Sequence, residues 1–134
     1  MNIKEIAEQI RTQDNACTDR PMFVVQSRKR IYGLDDAYSD SHVWITADEC
    51  EEVTDEGEIE KLDLQYEETG VEPDNYIRTM FMDIWEHKTT CLTRKGAEDY
   101  IEEMSHHMTD PRIYVESGYR NREWEAVRDL LKTL

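Results

Sequence analysis

The distribution of charge along this 134-residue chain limits where a core can form. Between Asp35 and Asp74 stand sixteen acids and one base, Lys61. The other 94 residues hold fifteen of each, so the middle forty carry the whole formal net charge of −15. Burying an unpaired carboxylate costs far more than packing returns. The core must therefore be assembled mainly from the flanks, with the middle anchored by few apolar residues and its carboxylates left in water.

Apolar residues make up 38% of the chain and charged residues 35%, which at this length supports a single domain, 1–134, with one small core. No stretch approaches the ~18 consecutive apolar residues of a membrane span. Met1–Ile10 carries charges where a secretory leader has its apolar region, so the expected location is the cytoplasm. Cys17, Cys50 and Cys91 are odd in number and far apart, which fits reduced thiols better than a disulfide framework or a paired-cysteine metal site.

Periodicity gives the elements. Ile3, Ile6, Ala7 and Ile10 predict a short amphipathic helix over Asn2–Gln13, ended before Pro21. Met22–Gln26 and Ile31–Leu34, separated by the polar Ser27–Arg30, predict a hairpin or a bent strand, and His42–Thr46 a further strand. Leu62, Leu64 and Tyr66 alternate with Asp63 and Gln65, the pattern of a half-buried strand. In Tyr76–Thr93 the residues Ile77, Met80, Phe81, Ile84 and Trp85 match a helix, whereas Thr89–Thr93 favours a strand; the second half is read as strand. Thr93 then caps a helix with Ala97, Tyr100, Ile101 and Met104 on one face. Asp110-Pro111 turns into a strand at Arg112–Glu116, and Asn121 caps a last helix bearing Trp124, Val127, Leu131 and Leu134. Strands and helices mix without βα alternation, which predicts α+β: a small antiparallel sheet with helices at the N-terminus, after residue 93 and at the C-terminus.

Motifs of chemistry are scarce. His87 and Cys91 stand at i, i+4 and would converge on a metal only if helical; His106 and His107, adjacent in sequence, diverge on a helix. Aligning Asp48–Glu60 as an EF-hand loop puts Val53 at the turn glycine and Ile59 at the bidentate Glu, so that pattern fails. There is no glycine-rich phosphate loop and no nucleophile elbow. The expectation is a non-enzyme without catalytic residues, metal or cofactor. The short basic runs Ser27–Arg30 and Tyr119–Arg122 read as scaffold and salt-bridge partners rather than as contacts to nucleic acid, given the net charge.

The run Trp85–Trp124, with CLTRKGAEDYI at Cys91–Ile101 and RIYVESGYRNREW at Arg112–Trp124, together with the VWI strand near the front, resembles short uncharacterised proteins encoded by tailed bacteriophages and prophages. The resemblance implies a setting inside a bacterial host cell, where small accessory phage proteins antagonise defences or redirect host enzymes. It implies no activity by itself.

Fifteen charges equal the phosphate charge on ~26 Å of duplex DNA, and a compact chain of this length presents a face ~30 Å across. The acidic middle is thus the right size to occupy a nucleic-acid channel. The leading expectation is an inhibitor of the anti-CRISPR or anti-restriction type that mimics DNA. It would bind a basic, nucleic-acid-handling host protein through Asp48, Glu49, Glu51, Glu52, Asp55, Glu56, Glu58 and Glu60, without touching nucleic acid or membrane itself. Two other readings compete with it. One is a solvated loop that only aids solubility; the other is an assembly module whose aromatic scaffold meets a partner or a second copy as a homodimer.

Overall fold

A computed structural model describes residues 1–35 and 41–134. Among these, four α-helices accompany a four-stranded antiparallel sheet, so the α+β class holds. In chain order the elements are α1 (Ile3–Thr12), β1 (Pro21–Leu34), β2 (His42–Thr46), α2 (Glu56–Thr69), β3 (Tyr76–Cys91), α3 (Arg94–Met104), β4 (Arg112–Ser117) and α4 (Arg122–Lys132). The strand order is β2-β3-β1-β4. The chain divides into two compact units, Met1–Lys29 with Trp85–Leu134, and Arg30–Ile84; β1 and β3 are long enough to contribute to both.

The first unit holds one core cluster, and Trp44, Ile45 and Leu62 are buried in the second. Phe23, Val25 and Ala97 are fully buried, and Tyr100, Ile101, Met108, Ile113 and Val115 pack on them. Phe23 and Val25 lie on one face of β1, and Ile113 and Val115 lie beside them on β4 through the register Phe23↔Val115, Val25↔Ile113. Burying this alternating set is what fixes the strand register. The two expected caps, Thr93 and Asn121, are present, and Asn2 adds a third. Asn2 forms a full capping box with Glu5, Thr93 accepts from the Gly96 N–H, and Asn121 accepts from the Trp124 N–H. Arg11 donates to the carbonyls of Lys132 and Leu134 at 3.2 and 3.1 Å, closing off the C-terminus of α4. On α4 the buried positions are Arg128 and Leu131, while Val127 and Leu134 face solvent. The stripe expected from sequence is thus rotated toward Arg128.

Two open readings are settled and one expectation is corrected. Pro21–Leu34 is one fourteen-residue strand without a hairpin. Its polar centre does not turn the chain: the Ser27 hydroxyl accepts from the Thr109 N–H at 2.9 Å, and Arg28 pairs with Asp110 at 2.6 Å. Tyr76–Cys91 is strand from end to end. The helical spacing of Ile77, Met80, Phe81 and Ile84 is overridden by pairing with β2, in register His42↔Met80 through Thr46↔Tyr76. The largest departure is at Leu62–Tyr66, which is helix. Asp55 caps α2 by accepting from the Gly57 N–H, and Gly70 ends it in the left-handed region at φ 66°. Leu62 is buried but Leu64 is 52% exposed. The residues facing inward are Ile59, Leu62 and Tyr66, spaced three and four apart, and the alternation with Leu64 is incidental.

Candidate partner-binding surface

The second unit, Arg30–Ile84, contains seventeen acids against three bases, Arg30, Lys61 and Arg78, a net of −14; the first unit, with fourteen acids and thirteen bases, is nearly neutral at −1. The charge segregation read along the sequence is therefore also a segregation between compact bodies.

The acidic stretch after β2 is tied down by its backbone. In the β2–β3 ladder the Phe81 N–H donates to the Ser41 carbonyl, so alternate residues of β2 face β3 and the others face away. The outward groups are taken by the returning chain. The Thr46 N–H donates to Glu51 O at 2.9 Å, the Val53 N–H to Trp44 O at 2.8 Å, and Glu52 bridges to Ile45. The loop from Ala47 to Asp55 thus lies along the β2 edge with its backbone pinned there, while most of its side chains stay exposed.

Helix α2 is anchored through a polar centre. Asp63 Oδ1 accepts from the Trp44 indole N–H at 2.8 Å and lies 3.0 Å from His42 Nε2. The Trp44 bond first, and His42 after it, hold the Asp63 carboxyl below the usual carboxylate range against the opposing effect of partial burial. Tyr66 meets the Trp44 ring edge-on with centroids 5.9 Å apart, and the Arg78 guanidinium lies over Tyr66. One carboxylate of the helix is thus spent on fixing it to β2, and the rest of its acids face elsewhere.

The eight residues expected as contacts divide into two groups. Glu52 is held by Arg30, which also makes a two-pronged contact with Asp83 at 2.8 and 3.1 Å and stacks on Phe81. These partners push the Arg30 pKa upward, Asp83 foremost. Asp55 is the α2 cap. Glu58 accepts a 2.7 Å bond from the Tyr76 hydroxyl, and this bond raises the Tyr76 pKa with a smaller contribution from Asp48. These three carboxylates are structural. Asp48, Glu49, Glu51, Glu56 and Glu60 are exposed and make no ion pair among the described residues.

Two display positions escaped the sequence reading, Glu67 and Glu68, because that segment was taken as a strand. At 100° per residue Glu56, Glu60 and Glu67 fall within 40° of one another, forming a stripe along α2. Glu67 and Glu68 occupy its last turn, which holds no base. The helix dipole is negative at that end, so two acids there oppose the local preference. The signal that could have found them was the Asp55-to-Gly70 pairing of cap and stop.

His87 and Cys91 both lie in β3, where the helical i, i+4 convergence does not arise; the His87 ring sits 2.9 Å from the Thr90 hydroxyl. No group of three or more His, Cys, Asp or Glu converges on a metal position among the described residues, and there no helix is long and apolar enough to cross a membrane. Comparison of the chain with protein-family models, curated proteins and solved structures gives no match.

Proposed function

We propose that this is a non-enzymatic, phage-type binding protein whose acidic unit occupies the nucleic-acid site of a basic host defence protein, in the manner of an anti-CRISPR or anti-restriction inhibitor, inside the host cytoplasm. The observation that carries the reading is the confinement of a −14 charge to the compact unit Arg30–Ile84. Within it, Glu52, Asp55, Glu58 and Asp63 are anchored where they fix the fold, and Asp48, Glu49, Glu51, Glu56 and Glu60 are exposed without an ion pair among the described residues. Fourteen uncompensated charges correspond to ~24 Å of duplex. The displayed set is Asp48, Glu49, Glu51, Glu56, Glu60, Glu67 and Glu68, with Glu52, Asp55 and Glu58 supporting it. A surface kept only for solubility gains nothing from acids placed against the α2 dipole, whereas a surface selected to meet cations does.

The test is capture from bacterial lysate on immobilised protein, followed by competition for duplex DNA with the captured species. The expected partner is basic, leaves as salt rises from ~50 to ~500 mM, and is displaced by DNA. Changing Glu49, Glu51, Glu56 and Glu60 together to Gln should abolish capture while the circular dichroism stays native. A partner retained by that variant, or one indifferent to salt, would overturn the proposal.

A further inference from the structure

Strand β4 closes the sheet order, and its hydrogen-bonding pattern identifies which of its groups are free. The Gly118 N–H donates to the Arg20 carbonyl at 2.7 Å, and the antiparallel register runs Met22↔Glu116, Val24↔Tyr114, Gln26↔Arg112. Facing groups recur every second residue in such a ladder. Arg112, Tyr114 and Glu116 therefore bond to β1, while the N–H and C=O groups of Ile113, Val115 and Ser117 point off the sheet. The opposite edge, at β2, is capped by Glu51 and Val53; no backbone partner of Ile113, Val115 or Ser117 occurs on the outer side of β4 among the described residues. Exposed edges of this kind pair with other strands unless blocked.

The sequence of this edge is complementary to itself. When two copies of β4 run antiparallel, only registers that place an outward-facing residue opposite another can form bonds, and among these are the ones centred on Ile113, Tyr114 and Val115. Centred on Tyr114, Arg112 lies opposite Glu116 of the second copy twice, Tyr114 opposite Tyr114, and Ile113 opposite Val115 twice. The two charged pairs and the tyrosine pair occupy the non-hydrogen-bonded positions, where side chains come closest. Centring on Ile113 sets Arg112 opposite Tyr114 and brings Pro111, which has no N–H, into the middle of the ladder. Centring on Val115 sets Glu116 opposite Tyr114 and Arg112 opposite Gly118.

Neither charge is already satisfied by an opposite one. Arg112 donates to Gln26 at 2.8 Å and its guanidinium lies 3.8 Å over Trp85, but it has no carboxylate partner among the described residues, and neither does Glu116 have a base. Tyr114 is 47% exposed. The unit carrying this edge has a net charge of −1, so the edge itself adds little like-charge repulsion.

We infer that β4 is a homodimerisation edge, pairing with a second copy of this chain antiparallel about Tyr114, with Arg112 turning from Trp85 toward the Glu116 carboxylate of the second copy. The test is a charge exchange followed by sedimentation equilibrium on the full chain. Arg112→Glu and Glu116→Arg should each be monomeric, since each places like charges opposite. Their equimolar mixture should dimerise, because it pairs Glu with Glu-facing Arg at both ends, and so should the double variant R112E/E116R. Amide exchange supplies a readout that a folding defect does not mimic. In the dimer the N–H groups of Ile113, Val115 and Ser117 should be protected, whereas in the single variants these three should exchange rapidly while Tyr114 and Glu116 stay protected by β1. A wild-type chain that sediments as a monomer at high micromolar concentration with those three amides exchanging freely overturns the inference, and so does a dimer unaffected by either single reversal.

Discussion

Neutralising acids on α2 should make the protein more stable and less functional at the same time. Glu56 and Glu60 lie one turn apart, as do Asp63 and Glu67, and like-charged pairs at this spacing cost about 0.2–0.5 kcal/mol each. Glu67 and Glu68 stand in a last turn that holds no base, where each anion costs about 0.3–1 kcal/mol against the dipole. Replacing Glu60, Glu67 and Glu68 by Gln removes these terms with little change in helix propensity. The expected gain is about 1.5 kcal/mol at low ionic strength. For a chain of this length, with an unfolding entropy near 2.1 cal/mol/K per residue, that raises Tm by ~5 °C. Thermal melts at ~20 mM and ~1 M salt provide the check, since the gain should shrink as the Debye length falls from ~20 to ~3 Å. The same variant should bind the basic partner more weakly. A triple variant that melts at or below the wild-type temperature in low salt would show that these carboxylates have stabilising contacts within the fold, and the picture of a surface maintained at a cost to stability would fail.

Other consequences follow from particular contacts. Glu52→Ala should destabilise by about 1.5 kcal/mol, since it removes a hydrogen bond to a charged, partly buried guanidinium that keeps its Asp83 contact; Glu51→Ala should stay within about 0.5 kcal/mol, and urea unfolding distinguishes the two. Gly118→Ala should be strongly destabilising, because an added Cβ would lie 2.5 Å from Trp124 Cδ1 and 3.1 Å from the Arg20 carbonyl; a native melting temperature for that variant would contradict the packing. The depressed Asp63 carboxyl gives the sign of one acid-limb effect. Its folded pKa lies below the unfolded value near 4, so its contribution is complete above about pH 4 and is lost as pH falls through the folded value. Asp63→Asn should therefore flatten the acid limb of a stability–pH curve, and an unchanged limb would remove Asp63 as its source.

The parts of the fold legible in the sequence were those where one signal acted alone. Thr93 and Asn121 could be identified as caps because each precedes an apolar period of 3.6 with no competing pattern, and HVWIT is bounded as a strand by its own composition. Leu62–Tyr66 misled because Leu64 sits by chance between two inward-facing residues, giving a period of two inside a helix whose polar positions are mostly acidic. Tyr76–Ile84 stayed open between helix and strand for a different reason: a strand whose two faces are both partly covered carries no alternation, and its identity depends on β2, a partner thirty residues away in sequence. The acidic set was legible as a region and not as roles. Glu52 and Glu49 are indistinguishable in sequence, and only the approach of Arg30 and Asp83 makes one structural and the other displayed.

The separation of charge between the two units also bears on self-association. A protein of net −15 repels its own copies, and contact through the −14 unit would bring many carboxylates within the ~8 Å over which physiological salt leaves charges visible to one another. The near-neutral unit offers a surface without that charge, and the edge strand β4, whose outward groups have no backbone partner among the described residues, lies there. The two surfaces should consequently respond to different perturbations. Amides at Glu49, Glu51, Glu56 and Glu60 should abolish partner capture and leave the Tyr114-centred dimer intact, whereas reversal of Glu116 should split the dimer and leave each monomer able to bind. A single substitution that removed both properties while the fold survived would mean that one surface serves both, contrary to the charge segregation on which each assignment rests.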